Sequence, residues 1–198
     1  MPKFGSPWTV GRMMLDTCIF VGLSDPDRIV ASELPAVYRL FEYQDHRRIA
    51  LAKTDTVDME RTVDSDPATK AERLLETAEV IEVLGPMVLD NSRLDHSVAA
   101  SEDDARRLDE VFELMFPNGD RHGTSRTSKH NLRDAMHVAT AIRYGYDGFV
   151  TTDDGPLLAS ARFRQHSNCE IAILTPTQAI KWIEDRIEVE RITSARRP

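Results

Sequence analysis

The sequence predicts an α/β fold, in which helices cover both faces of a central parallel sheet. Short and wholly apolar segments, such as MML, GFV and IAIL, alternate with longer segments that carry helix signals along the 198-residue chain. Strands that are apolar throughout are typical of parallel sheets buried on both faces, and their alternation with helices is typical of three-layer α/β/α domains. Hydrophobic residues make up 41% of the chain, which excludes wholesale disorder.

Each predicted strand is an apolar run bounded by turn residues or carboxylates. The first ends on Asp16 and the run GFVTT ends on Asp153 and Asp154. The predicted strands cover residues 12–16, 48–53, 148–152 and 171–174, with a further short candidate at 87–89. Because helical segments separate them along the chain, neighbouring strands are expected to be parallel.

The predicted helices begin and end at capping residues. Two Asp-Pro pairs combine an N-cap with proline at the first helical position, and two polar pairs form capping boxes. These signals are Asp25-Pro26, Asp66-Pro67, Ser101 with Asp104, and Thr175 with Gln178. Gly85 and Gly145 are expected to end helices, and Pro35 to break or kink one. The predicted helices cover residues 25–41, 54–61, 66–84, 101–116, 129–144, 156–165 and 175–192.

Composition limits the location and the partners of the chain. The 33 acidic and 25 basic residues give a net charge of −8, which is unlike a general nucleic-acid coat but leaves a local site open. The two cysteines, Cys18 and Cys169, show no zinc-site spacing, which suggests a reducing compartment. No apolar run reaches the roughly 18 residues of a membrane span and no signal-peptide core is evident, so a cytoplasmic location without membrane contact is expected.

Carboxylates are predicted to gather at one edge of the sheet. Asp16 and Asp153, with Asp154, end two strands, and Asp134 interrupts the apolar pattern of the helix before the second of them. Glu60 lies in an acidic segment just after another strand. The carboxyl ends of parallel strands meet at the same edge, where sites form. Gathered carboxylates repel one another unless a cation binds, and oxygen ligands select Mg²⁺ or Mn²⁺, which can hold a phosphate and activate water.

This joint pattern resembles the PIN-domain family, in particular VapC-like ribonucleases. The matching segments, in the same order, are MLDTCIF, IALAKTDTVDMER, NLRDAMHVATAIRYGYDGFVTTDD and IAILTPTQAI. The third segment is the most specific, with an Asp early in an Ala-rich helix, then Gly, an apolar strand and T-x-D. The resemblance implies a single PIN-like domain over residues 1–198, with residues 62–128 as a mostly helical insertion. VapC-like toxins are usually shorter there, which weakens the toxin assignment more than the nuclease assignment.

The resemblance also implies a function and a site. It implies a Mg²⁺- or Mn²⁺-dependent endoribonuclease, with an antitoxin protein and a second copy of the chain as candidate partners. The implied catalytic and metal-binding acids are Asp16, Glu60, Asp134 and Asp153. Asp58 or Asp55 are alternatives to Glu60, Thr151 is a supporting hydroxyl, and Asp154 is an auxiliary acid. A non-catalytic RNA-binding or assembly scaffold is the alternative function, although the filled acidic positions favour catalysis.

Other residues give weaker signals. Basic residues near the predicted site are candidate RNA contacts, since phosphates attract Lys and Arg. They are Arg126, Lys129, Arg133 and Arg162. His130, Asp134 and His137 share one helical face and could bind a transition metal, but no further imidazole or thiolate accompanies them. Cys18 lies in an apolar stretch, which favours a buried small hydrophobe over a nucleophile.

Overall fold

Five parallel strands form one central sheet in the computed structural model, which describes residues 10–54, 80–88, 97–166 and 170–195. The strands are β1 (Gly11–Leu15), β2 (Ile49–Thr54), β3 (Ile81–Val83), β4 (Gly148–Val150) and β5 (Ala172–Leu174). The helices are α1 (Thr17–Ser24), α2 (Leu34–Asp45), α3 (Glu102–Met115), α4 (Arg126–Arg143), α5 (Asp154–Gln165) and α6 (Pro176–Ala195), with a 3₁₀ turn at Pro26–Arg28. None of the helices in these ranges is long and apolar enough to cross a membrane.

The strand order is β3-β2-β1-β4-β5, with β1 in the middle. Pairing is parallel throughout, with Met14 of β1 opposite Ala52 on one side and opposite Phe149 on the other. From β1 the chain moves outward through β2 to β3 and then returns to the other side for β4 and β5. The direction of winding therefore changes beside β1, and ligand sites of open parallel sheets form at such a switch point.

Two hydrophobic cores, one on each face, make the molecule three layers deep. Met14, Ala52 and Phe149 point to the face that α3, α4 and α5 cover. Their sequence neighbours point to the opposite face, against α1, α2 and α6, because side chains alternate along a strand. The predicted α/β class, with a parallel sheet between helical layers, is confirmed.

Several predicted boundaries are wrong. Residues 81–83 form β3, an edge strand, where the sequence predicted the end of a helix. The run VIEV is rich in β-branched residues, which favour strands, and residues 81–83 pair with β2. Residues 87 and 88 are not in a strand, and Pro86 makes only an isolated bridge with Val98. The helix predicted from Asp25 is a 3₁₀ turn, and Pro35 lies in the first turn of α2 instead of breaking a helix.

The predicted capping boxes are confirmed and fix the ends of two helices. The Ser101 hydroxyl accepts from the Asp104 N–H while the Asp104 carboxylate accepts from the Ser101 N–H. Thr175 and Gln178 exchange the equivalent bonds at the start of α6. Gly145 follows α4 with φ of +65°, a conformation that favours glycine. The helix predicted at 54–61 lies outside the described residues, apart from Thr54, which ends β2, and so do residues 66–79 of the helix predicted at 66–84.

An ionic cluster ties α3 to the far end of α4. Asp104 is 5% exposed and faces Arg107 at 2.9 Å and Arg143 at 3.0 Å. Burial opposes ionisation of this carboxyl, but the hydrogen bonds from Ser101 and the two guanidinium groups lower its pKa below the ordinary value. Asp104 is therefore both a helix cap and the anionic partner that joins two helices.

Candidate metal and nuclease site

Asp16 lies where β1 ends and α1 begins. Its backbone is extended, and its side-chain Oδ1 accepts the Thr17 N–H at 2.7 Å, so the carboxylate caps α1. The Asp16 N–H donates to the Val150 carbonyl, which keeps the residue in register with β4. Asp16 is only 4% exposed. The strand-to-helix transition thus holds a buried carboxylate at the switch point of the sheet.

The Thr151 hydroxyl joins the two strand ends. It donates to Oδ2 of Asp16 at 2.6 Å and accepts the Asp153 N–H at 2.9 Å. Thr151 has no exposed surface. The T-x-D sequence after β4 therefore has a physical purpose: its hydroxyl fixes the rotamer of one acid and the backbone of the other.

Cys18 is part of this site, which the sequence did not predict. Its sulfur lies 3.5 Å from Oδ2 of Asp16 and 3.4 Å from the Thr151 hydroxyl, and it accepts the Thr152 N–H at 3.3 Å. Burial, followed by the negative charges of Asp16 and Asp153, raises the pKa of the Cys18 thiol well above its ordinary value. The group is therefore a neutral thiol at neutral pH, which argues against a nucleophilic role. The available signal was its position two residues after Asp16.

Three side chains could share one cation. One ligand atom each from Asp16, Cys18 and Asp153 lie within 4.8 Å of one another. Two carboxylates suit a hard divalent cation such as Mg²⁺ or Mn²⁺, and a neutral thiol is a poor ligand for either. The donor set therefore fits the predicted class of metal, with the carboxylates as its principal ligands.

Of the other predicted acids, the structure describes Asp134 and Asp154, and neither belongs to the group of three. Asp134 is in α4, 7% exposed, with Nε2 of His130 3.7 Å from its Oδ2, and it is not a member of the group of three. Asp154 is exposed in the first turn of α5. Glu60, Asp58 and Asp55 lie outside the described residues.

The transition-metal alternative finds no support among the described side chains. His130 is largely exposed, whereas His137 has no exposed surface and its Nδ1 shares a hydrogen bond with the Thr54 hydroxyl. In the part of the chain that the structure describes, the ligand atoms of His130, Asp134 and His137 do not lie close enough together to hold one ion. A shared helical face therefore does not bring their ligand atoms together.

The candidate RNA contacts differ in exposure. Arg126 and Lys129 are exposed in the first turns of α4, and Arg133 is half-buried one turn further on. The guanidinium of Arg162 donates to the carbonyls of Leu114 and Met115 and so caps the C-terminal end of α3. Arg162 consequently has a structural role in holding α5 against α3.

No family model matches the chain, and no curated protein is similar to it at a significant level. Among solved structures, it is similar to the crystal structure of VapBC2 from Rickettsia felis bound to a DNA fragment from their promoter. The sequence identity is 15%, the alignment covers 83% of this chain and 98% of that chain, and the TM-score is 0.47.

Proposed function

We propose that the chain is a divalent-metal-dependent endoribonuclease. The observation that carries this proposal is the meeting of Asp16 and Asp153 at the switch point of a parallel sheet, held together by the Thr151 hydroxyl. The matching order of the PIN-like sequence segments supports the same chemistry. Asp134 and Glu60 complete the proposed set of acids, and Mg²⁺ or Mn²⁺ is the proposed cofactor.

The acidic and the basic side chains have different proposed roles in phosphodiester hydrolysis. A bound divalent cation would supply charge neutralisation for a phosphate and acidify water. Asp16 and Asp153 hold that cation, and the hydrogen bonds to Thr17 and Thr151 keep the Asp16 carboxylate from turning away. Arg126, Lys129 and Arg133 are proposed to attract the RNA backbone toward the acids, since the acids alone would repel phosphate.

The test is cleavage of a broad RNA panel in Mn²⁺, with EDTA as the reversal. Asp16→Asn is expected to lower cleavage by about a hundredfold or more, because a ligand and its charge are lost. Asp153→Asn is the companion variant, since the Asp153 side chain does not cap α5 and its loss disturbs the backbone less. Asp27→Asn, on an exposed 3₁₀ turn, is the matched control and is expected to cut like wild type.

Two results would count against the proposal. Cleavage by both aspartate variants at the wild-type rate would mean that the site is elsewhere. RNA binding without cleavage in any metal would favour the scaffold function instead.

An antitoxin protein and a second copy of the chain remain proposed partners. Co-expression with the adjacent reading frame tests for the antitoxin, and light scattering of the purified chain tests for the second copy.

A further inference from the structure

A row of three polar residues crosses the central strands at the site edge. The β1–β2 register pairs Met14 with Ala52, and Asp16 and Thr54 each come two residues later in the chain. On the other side, the Asp16 N–H donates to the Val150 carbonyl, so Asp16 lies beside Thr151. We call Thr54, Asp16 and Thr151 the terminal row. Thr54 ends β2 and Thr151 follows β4, so one threonine lies on each side of the strand that leads into Asp16.

The two threonines face different partners. The Thr151 hydroxyl bonds to Asp16 itself. The Thr54 hydroxyl shares a hydrogen bond of 2.5 Å with Nδ1 of His137, and neither Thr54 nor His137 has exposed surface. The His137 ring also lies 6.5 Å from the Phe149 ring, centre to centre. Because Thr54 is on β2 and Phe149 is on β4, with β1 between these two strands, the imidazole lies over β1.

Helix α4 carries this imidazole and the proposed metal ligand Asp134. At its C-terminal end, the carbonyls of Tyr144 and Gly145 accept from the Arg12 side chain, near the start of β1. The helix therefore runs antiparallel to the strands, with its N-terminal half at the site edge. Asp134 precedes His137 by three residues, which puts it about 4.5 Å further along the helix axis toward the carboxyl ends of the strands.

We propose that the Thr54–His137 hydrogen bond is a positioning device for Asp134. The bond fixes both the height and the rotation of α4 over the terminal row, and hence the place at which the Asp134 carboxylate meets a cation held by Asp16 and Asp153. His137 and Thr54 are positioning residues, since neither is assigned contact with substrate or cation. This inference rests on the proposed function only in that it concerns the same cation site.

Four substitutions, two at each residue, separate the loss of the hydrogen bond from the other effects of changing the side chain. An asparagine amide can replace Nδ1 of histidine, whereas a glutamine amide replaces Nε2. His137→Asn is therefore expected to keep the bond to Thr54, and His137→Gln to lose it while retaining a polar side chain. Thr54→Ser keeps the hydroxyl, and Thr54→Val removes it with almost no change in volume.

The experiment measures Mn²⁺ affinity by calorimetry and the free energy of unfolding in urea, for the whole chain and each variant. His137→Asn and Thr54→Ser are expected to bind Mn²⁺ within about threefold of wild type. His137→Gln and Thr54→Val are expected to bind about 10- to 100-fold more weakly, the usual cost of losing a residue that orients a ligand. Thr54→Val keeps the test valid even where a His137 variant folds poorly, because its shape is unchanged.

A double-mutant cycle identifies the route of the effect. If His137 acts through Asp134, then Asp134→Asn combined with His137→Gln binds Mn²⁺ no more weakly than Asp134→Asn alone. Additive losses, or wild-type affinity in both His137→Gln and Thr54→Val, would overturn the positioning role while the proposed function stands. Absence of Mn²⁺ binding by the wild-type chain would overturn the proposed function, and the positioning role with it.

Discussion

Thr151 is the residue on which the geometry of the site depends most directly. Its hydroxyl donates its one hydrogen to Asp16, while the hydroxyl oxygen accepts a hydrogen bond from the Asp153 N–H. Thr151→Val is expected to lower the free energy of unfolding by about 1–3 kcal/mol, because it leaves buried polar groups unsatisfied. It is also expected to weaken Mn²⁺ binding, as measured by calorimetry. Thr151→Ser retains the hydroxyl and serves as the control; equal losses in both variants would contradict this explanation.

The Cys18 thiol should be unreactive even though the residue is partly exposed. Burial and the neighbouring carboxylates raise its pKa, so that little thiolate exists at pH 8. In a Cys169→Ser background, we expect a disulfide reagent to modify Cys18 at least about tenfold more slowly at pH 8 than free cysteine, with the rate rising only well above pH 9. Modification at the rate of free cysteine would show that the thiol is not held neutral by the site.

The sequence predicted the meeting of Asp16 and Asp153 better than it predicted their surroundings. Asp16 and Asp153 meet because the carboxyl ends of parallel strands lie together, a rule that the strand pattern alone makes available. The contribution of Cys18 depends on the turn from β1 into α1, which an unbroken apolar run does not reveal. The position of His137 over β1 depends on which strands are neighbours, and no local pattern records that.

At the scale of elements, the Asp104 cluster predicts a stability that depends on pH. Because the folded-state pKa is lowered, the contribution of the ionised carboxylate is complete above the ordinary value of 3.8 and is lost as pH falls below it. Asp104→Asn is expected to cost about 1–3 kcal/mol near neutral pH. In urea unfolding, its difference from wild type should shrink below about pH 4.

Asp103 provides the matched control for that prediction. It is the neighbouring carboxylate in α3, largely exposed, and pairs with the exposed Arg106. Asp103→Asn is expected to change stability by less than about 0.5 kcal/mol at any pH, since exposed ion pairs contribute little. Similar costs at both positions would mean that α3 needs only acidic residues in its first turn, not a link to α4.

Substitution of Arg162 tests whether its side chain stabilises the fold or contacts RNA. Its bonds to the end of α3 predict that Arg162→Ala lowers the free energy of unfolding by about 1 kcal/mol. Arg164, exposed on the same helix, is the control and is expected to leave stability unchanged. A filter-binding titration with RNA completes the test: an affinity loss for Arg162→Ala with unchanged stability would restore the predicted RNA contact.

Elements that begin with capping residues were predicted well, whereas elements that are apolar throughout or only three residues long were not. The capping boxes located the starts of α3 and α6, because side-chain caps are local chemistry. Helix α1 was missed, since TCIFVGLS is apolar all round and has no helical periodicity to distinguish it from a strand. Strand β3 was assigned to a helix because its type is decided by pairing with β2 rather than by its own three residues.

At the scale of the whole molecule, cation binding and folding should be linked. The proposed cation would be held by Asp16 and Asp153, which follow two different strands, so it would bind only the folded chain and stabilise it. Mn²⁺ at about 100 times its Kd should add about 2.7 kcal/mol to the free energy of unfolding, and EDTA should remove that gain. Calorimetric melting checks this, with Asp16→Asn expected to show little shift. A gain retained by that variant would indicate a cation site elsewhere.

The central place of β1 in the sheet also has a consequence during synthesis. β1 ends at Leu15, yet its partner β4 begins only at Gly148 and is therefore synthesised much later. Until then the Asp16 carboxylate has neither the Thr151 hydroxyl nor Asp153 beside it. A nascent chain therefore carries an incomplete site while the whole segment between these two strands is being synthesised. A chain with the proposed nuclease chemistry would acquire it only after β4 has left the ribosome, which would protect the message being translated until then.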